Sequence, residues 1–307
     1  MTSIGYYPGC SSAGGGIELE MSIRALSELA GVELKEIADW NCCGASAAHN
    51  INHNLAIALP YRILALAEEQ GLETVVAPCA ACFARLKGTH ARVTRSADLA
   101  AEMAEITERT YGGGVKVINI IEYLNVLLAD GLAERLPRGF GGLKAAAYYG
   151  CLLSRDDDVI TGDDHESPGG MVPVLRAAGC EPVPWNFAVE CCGAGLSMSK
   201  TEAVVDLTSR ILADARDCGA EIIVTGCPMC HSNLDMRQKT IRQAGKGDFR
   251  MPVLYLSELL GLAGGLEPKQ VGLNRHFVDA MGVAEHLTEA QGAAVGAESA
   301  IDGDGSD

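Results

Sequence analysis

No stretch of this chain runs to about 18 consecutive apolar residues, the length that a membrane-spanning helix needs. The richest stretch, Ile118 to Ala133, is broken by Asn119, Glu122 and Asn125, so membrane insertion is not expected. The N-terminus, Met1-Thr2-Ser3-Ile4-Gly5-Tyr6-Tyr7, has no basic segment leading into an apolar one and does not read as a signal peptide. Positive charge is scarce. Against 40 Asp and Glu stand only 24 Lys and Arg, a formal net charge of −16 over 307 residues. A chain that acidic suits neither a nucleic-acid backbone nor an anionic membrane, so no nucleic acid is expected as a partner. No G-x-G-x-x-G opens a helix after a strand, which excludes a flavin or nicotinamide site of that kind on this chain. The 12 cysteines, about 4% of the residues, are too few for a disulfide-stapled secreted scaffold. A chain of this length also buries enough apolar surface without staples. Thiol-rich and lacking an export signal, it is expected to be cytoplasmic, where patterned cysteines serve as metal ligands or redox groups.

What is present is a repeat. Cys10, the pair Cys42-Cys43, and Cys79 with Cys82 follow the pattern C-x31-CC-x35-C-x2-C; Cys151, the pair Cys191-Cys192, and Cys227 with Cys230 follow C-x39-CC-x34-C-x2-C. The surroundings repeat as well. Tyr6-Tyr7-Pro8-Gly9-Cys10 answers Tyr148-Tyr149-Gly150-Cys151, and both pairs are followed by Gly-Ala, at Gly44-Ala45 and Gly193-Ala194. A duplicated domain accounts for this, with residues 1–137 as the first copy and 138–263 as the second.

Within each copy, β-rich runs alternate with helical patterns. Strands are expected near 3–7, 33–37, 73–77 and 115–118, then near 144–149, 181–184, 221–225 and 252–255. Helices are expected near 17–30, 53–70, 80–109 and 120–130, then near 168–178, 200–217, 229–244 and 256–262. Such alternation predicts an α/β fold with mainly parallel sheets covered on both faces. The stretch Leu136 to Gly142, rich in Pro and Gly, reads as the joint, unsuited to either element. Residues 264–307 hold eight acids and two bases. They form an acidic tail, expected to be partly disordered, with 270–290 able to form one docking helix. No cysteine of either series lies beyond Cys230, so the tail is expected to be dispensable for holding a metal centre.

Cys10, Cys79, Cys151 and Cys227 each follow an apolar run, which puts them at the carboxyl edge of a sheet where ligands bind. The CxxC pairs then fall in the first turn of a helix, where N–H groups and the helix dipole favour the thiolate. Two adjacent cysteines on a regular strand would point to opposite faces, so irregular backbone is expected at Cys42-Cys43 and Cys191-Cys192. A zinc-stapled, non-enzymatic scaffold is one reading, but zinc takes four ligands and each series offers five. A thioredoxin-like dithiol would leave the paired cysteines unexplained. Cubane clusters take four thiolates, often closely spaced as in ferredoxins; five widely spaced ones suggest a larger or unusual iron–sulfur centre. No ferredoxin-type C-x2-C-x2-C-x3-C-P run is present. Cys180 and Cys218 lie outside both series and read as structural thiols. His49 and His231 follow cysteines closely and are candidate catalytic proton donors near the two sites. Arg85, Lys87, Arg237 and Lys239 follow the CxxC pairs, as receivers of an anionic substrate or as helix decoration.

The pattern resembles the CCG-domain iron–sulfur family, and the wording around it resembles the B subunit of heterodisulfide reductase. Tyr7-Pro8-Gly9-Cys10, Asp39-Trp40-Asn41-Cys42-Cys43-Gly44-Ala45, Ala77-Pro78-Cys79-Ala80-Ala81-Cys82 and Cys227-Pro228-Met229-Cys230-His231-Ser232-Asn233-Leu234 carry the likeness over about residues 3–262. The resemblance implies two pseudo-symmetric Rossmann-like CCG domains. It implies two noncubane [4Fe–4S] clusters, one on Cys10, Cys42, Cys43, Cys79 and Cys82, the other on Cys151, Cys191, Cys192, Cys227 and Cys230. It implies reduction or formation of a thiol disulfide between them, one electron from each, with a small disulfide or other sulfur compound as substrate. The partners it implies are a ferredoxin-type C subunit, together with a flavin-bearing A subunit. The alternative within the family is a CCG electron-transfer subunit of a hydroxy-acid or fumarate/succinate oxidoreductase, against which the Asp39-Trp40-Asn41 wording speaks.

Overall fold

A computed structural model describes residues 2–12, 14–45, 47–155 and 163–289. The first half runs β1 (Thr2–Tyr6), α1 (Gly9–Ser12), α2 (Ile17–Ala30), β2 (Val32–Glu36), α3 (Ala48–Ile51), α4 (His53–Glu69), β3 (Thr74–Val76), α5 (Ala80–Arg95), α6 (Ala97–Thr107), β4 (Lys116–Ile118) and α7 (Ile120–Leu127). The second runs β5 (Arg138–Gly139), β6 (Leu143–Tyr148), α8 (Val172–Ala177), β7 (Cys180–Pro182), α9 (Thr201–Asp217), β8 (Ile222–Thr225), α10 (Pro228–Met236), α11 (Gln238–Gln243), β9 (Val253–Tyr255), α12 (Leu256–Ala263) and β10 (Thr288–Glu289).

Two four-stranded sheets result, ordered β2-β1-β3-β4 and β7-β6-β8-β9, with every neighbouring pair parallel. The order is the same in both copies, as duplication requires. β8 is buried along its whole length, and its β-branched residues suit a parallel strand covered on both faces. In each sheet the chain leaves the first strand toward one side and later returns to its other side. That reversal opens a crevice beyond the carboxyl ends of β1 and β3, and of β6 and β8. Cys10, Cys79, Cys151 and Cys227 stand just past those four strand ends.

The two copies share an inner layer of helices. α12 of the second packs on α2 of the first, and α7 of the first packs on α8 of the second. Ser22 and Ser257, both buried, meet hydroxyl to hydroxyl at 2.7 Å across this layer, and Asn125 donates to the Gly170 carbonyl at 2.9 Å. α4, α5 and α6 pack together beside one sheet; α9, α10 and α11 pack together beside the other.

Three expectations are corrected. The helix over 80–109 divides at Ser96, whose hydroxyl caps α6 by accepting from Leu99 N at 3.2 Å, and the helix over 229–244 divides at Arg237. The joint does form an element: Arg138 and Gly139 pair antiparallel with Glu289 and Thr288. Finally, 270–290 does not make one helix. Residues 264–289 lie along the domains in short 3-10 turns at Leu273–Arg275 and Met281–His286, burying Val271, Leu273, Ala280 and Val283. The expected disorder of the tail beyond that, from residue 290, lies outside the described residues.

Candidate metal centres

The five cysteines of each series come together from separate segments of the chain. In the first, Cys42 Sγ lies 3.8 Å from Cys10 Sγ, and Cys43 Sγ lies 3.3 Å from Cys82 Sγ. Cys79, the residue just before the helix that carries Cys82, perturbs the ionisation of Cys82 and is perturbed by it. In the second, Cys151 and Cys191 sulfurs are 3.7 Å apart, and those of Cys192 and Cys230 are 3.6 Å apart. Cys227 and Cys230 likewise perturb one another. The two sets lie side by side, because Cys79 and Cys227, both buried, are near enough to shift one another's ionisation. Cys79 and Cys227 are buried, whereas Cys10 and Cys42 are exposed and Cys151 and Cys191 half-buried. Each set therefore has a buried side against its counterpart and a side open to solvent.

Local sequence explains this convergence. Cys79 and Cys227 are the N-caps of α5 and α10, so Cys82 and Cys230 fall in the first turn, one turn along the same face. The cysteine pairs sit in irregular backbone, where Gly44 N and Gly193 N donate to Cys42 Sγ at 3.5 Å and Cys191 Sγ at 3.3 Å. Gly9 and Gly150 hold positive φ of 69° and 66°. A Cβ there would meet Cys82 Sγ at 2.9 Å and Cys230 Sγ at 3.0 Å, so only glycine leaves the sulfurs room.

One feature escaped the sequence reading. Tyr7 and Tyr148 stand three residues before Cys10 and Cys151. Tyr7 donates its hydroxyl to the Asn41 carbonyl at 2.8 Å, and Tyr148 to the Glu190 carbonyl at 2.5 Å. Those carbonyls immediately precede the cysteine pairs, so each tyrosine ties the segment after the first strand to the paired thiols. Burial, first, and then the surrounding thiols push both phenols far up, so they remain donors. Trp40 packs edge-on to Tyr7 at 5.6 Å, and Trp185 lies against Tyr148 at 6.0 Å. The signal was a tyrosine at the same offset in both repeats.

The thiols titrate in opposed directions. Hydrogen bonding from Cys82 holds Cys43 down, while Cys82 itself is pushed well up by Cys43 and Cys79. Cys192 is likewise held down by Cys230, which is pushed well up. Cys191 is pushed down to about 6, first by Cys151 and then, against its burial, by the Gly193 amide. Each depressed thiol thus leans on a proton held by a neighbour. All five can ionise together only around a strongly cationic centre, and the donor set fits an iron–sulfur group.

The remaining candidates are scattered. His49 is exposed, with Arg85 Nη2 3.3 Å from its Nδ1; with His53 and Arg92 they line a cavity of about 190 Å³. His231 is buried, its Nε2 2.8 Å from the Val253 carbonyl and its ring stacked on Tyr255 at 4.2 Å. Burial holds it well below the usual imidazole range, so it is neutral. Arg237 donates to the Ser197 carbonyl at 3.0 Å and lines, with Ser11, Met198, Met229 and Ser232, a cleft of about 250 Å³ between the copies. Lys239 lines a different cavity with Arg242 and Phe277, and Lys87 lies on α5. Cys180 is buried at the start of β7, where burial pushes its thiol up to about 12. Cys218 caps the end of α9.

The cysteine-rich CCG domain family matches residues 4–87 and 145–235, one stretch in each copy. The chain belongs to this family. Among its relatives, the 8-methylmenaquinol:fumarate reductase membrane anchor subunit of Wolinella succinogenes is 31% identical over 90% of this chain and 96% of its own length. The B subunit of a ferredoxin/F420H2-dependent CoB-CoM heterodisulfide reductase from Methanosarcina acetivorans is 24% identical over 91% of this chain and 94% of its own. A protein of Archaeoglobus profundus that is like the heterodisulfide reductase B subunit is 26% identical over 88% and 93%. The likeness to the B subunit of heterodisulfide reductase read from the motifs holds along the chain, and of these three relatives the fumarate reductase protein has the highest identity. The names of all three mark them as parts of, or akin to parts of, multi-subunit reductases. Although one is named a membrane anchor, no helix among the described residues here is long and apolar enough to cross a membrane. A solved structure, a hypothetical protein from Helicobacter pylori, shares the fold with a TM-score of 0.73 at 11% identity; the match covers 91% of this chain and 52% of that one.

Proposed function

We propose that this CCG protein holds two noncubane [4Fe–4S] clusters on its two five-cysteine sets and works on a small disulfide in a heterodisulfide reductase-type complex. The observation that carries the reading is the convergence of two five-thiol sets whose buried members, Cys79 and Cys227, lie close enough to perturb one another. Such clusters supply one-electron chemistry. A disulfide takes two electrons and two protons to become two thiols, and a pair of neighbouring one-electron centres matches that demand. The exposed side of each set, with the cleft along Ser11, Met229 and Arg237, gives a small substrate a place between the copies. Electrons would come from a ferredoxin-type C subunit, ultimately from a flavin-bearing A subunit, in the cytoplasm.

The second reading is favoured by the 31% identity with the fumarate reductase protein. Under it the same two centres conduct electrons to a partner subunit, with no disulfide cleaved here. Anaerobic protein with roughly eight iron and eight sulfide per chain separates the readings. Under our proposal it oxidises reduced viologen with a small disulfide, and Cys82→Ala or Cys230→Ala alone abolishes this turnover. A protein with full iron whose centres cycle rapidly but never consume a disulfide would establish the conducting reading. Stoichiometric zinc without sulfide would remove both and leave the zinc-stapled scaffold.

A further inference from the structure

A second cluster of ligand-type side chains lies apart from the ten cysteines. His231 and Asp235 on α10 and His276 from the tail each place one donor atom within 4.8 Å of the others. The hydrogen bonds fix which atoms these histidines can offer. A carbonyl oxygen only accepts, so His231 carries its proton on Nε2, toward Val253, and presents a bare Nδ1. His276 Nε2 lies 2.9 Å from Glu258 Oε1; its Nδ1 is buried without a partner, on a side chain with no exposure at all. Imidazoles whose far nitrogen is tied to a carboxylate or a carbonyl are the usual pattern around a bound metal, because that tie fixes the ring and raises its basicity.

Three carboxyl groups crowd these rings. Asp235 accepts from Phe277 N at 2.7 Å and Val278 N at 2.8 Å, and Glu258 accepts from Tyr255 N at 2.8 Å. Glu18 Oε1 of α2 lies 3.9 Å from His231 Nδ1. Burial pushes Glu18, Asp235 and Glu258 all upward. Burial works against a charge on His276, but Glu258 pushes it up, so the cluster holds protons that a metal ion would displace on binding.

We propose that His231 Nδ1, His276 Nδ1 and Asp235, with Glu18 as the nearest fourth donor, bind one divalent cation of the zinc type. Two imidazoles and carboxylates in a closed, buried setting suit a four-coordinate structural ion. Its ligands come from α2 of the first copy, α10 of the second and the tail, so it clamps all three. The first copy has no counterpart, because Phe83 stands after Cys82 where His231 follows Cys230, and Lys87 stands in place of Asp235.

The test uses the full chain with its clusters, expressed in zinc-supplemented medium and measured for zinc, iron and sulfide together. About one zinc per chain is expected beside undiminished iron, with a zinc-edge X-ray absorption shell of nitrogen and oxygen near ~2.0 Å. His276→Gln should lose that zinc and keep its iron. Asp235→Asn, which still accepts one of the two amides, is the second variant should the first fold poorly. Zinc absent from wild type, or surrounded by sulfur, overturns the proposal; so does zinc retained in both variants.

Discussion

A methyl group on Gly9 would sit 2.9 Å from Cys82 Sγ, and one on Gly150 3.0 Å from Cys230 Sγ, each on backbone of positive φ. Gly9→Ala should therefore cost about 1–2 kcal/mol in backbone strain and remove iron from the first set alone. Gly150→Ala should do the same for the second. Iron and sulfide per chain, falling by roughly half with four iron atoms to a set, check both; equal loss from both sets would mean that the copies do not hold their centres separately. Cys180 makes the opposite case. Its thiol is buried and pushed up to about 12 by burial, outside both sets. Cys180→Ala should leave iron unchanged and lower stability by about 1 kcal/mol or less, the loss of a small buried hydrophobe. It should resist alkylation at pH 8, well below the pH at which its thiolate forms, and react only once the chain unfolds.

At the scale of elements, the buried hydroxyl pair of Ser22 on α2 and Ser257 on α12 joins the two copies. Ser22 also donates to the Leu19 carbonyl, so Ser257 supplies the shared proton. Ser22→Ala would strand the Ser257 hydroxyl in the helix layer and cost about 1–3 kcal/mol, whereas changing both serines to alanine should cost less than the sum. Denaturant unfolding of the two single variants and the double variant reads this directly. The strands were legible as short apolar runs rich in β-formers, and the long helices as longer helical patterns between them. The break at Ser96 was less visible, since residues on both sides favour a helix and only a single cap divides them. The segment 264–289 was not legible as packed structure. Val271, Leu273 and Val283 follow neither period, and their burial depends on surfaces formed far earlier in the chain. Cysteine spacing exposed the ten thiols, while the tyrosine ties and the approach of His276 to His231 needed the folded backbone.

For the molecule as a whole, residues 264–289 are part of the fold. Truncation after Leu266 removes Val271, Leu273 and Val283, each buried, and the strand that pairs with β5. At about 1.5–3 kcal/mol per buried side chain and about 2–4 °C per kcal/mol, the melting temperature should drop by roughly 10 °C or more. The iron of both sets should remain in the cold, since every cysteine precedes the cut; a thermal melt and an iron assay on one preparation separate the two effects. The crossed helix layer has a consequence for how such a chain is made. Synthesis runs from the N-terminus, so β1 to β4 and the first five cysteines leave the ribosome while α2 still lacks α12, the last helix of the second copy. Until Leu256–Ala263 emerges, Ser22 lacks its Ser257 partner and α2 lacks part of its final covering, and the first thiols wait in an unfinished domain. A centre that needs the finished fold would then load late, once both halves have been made.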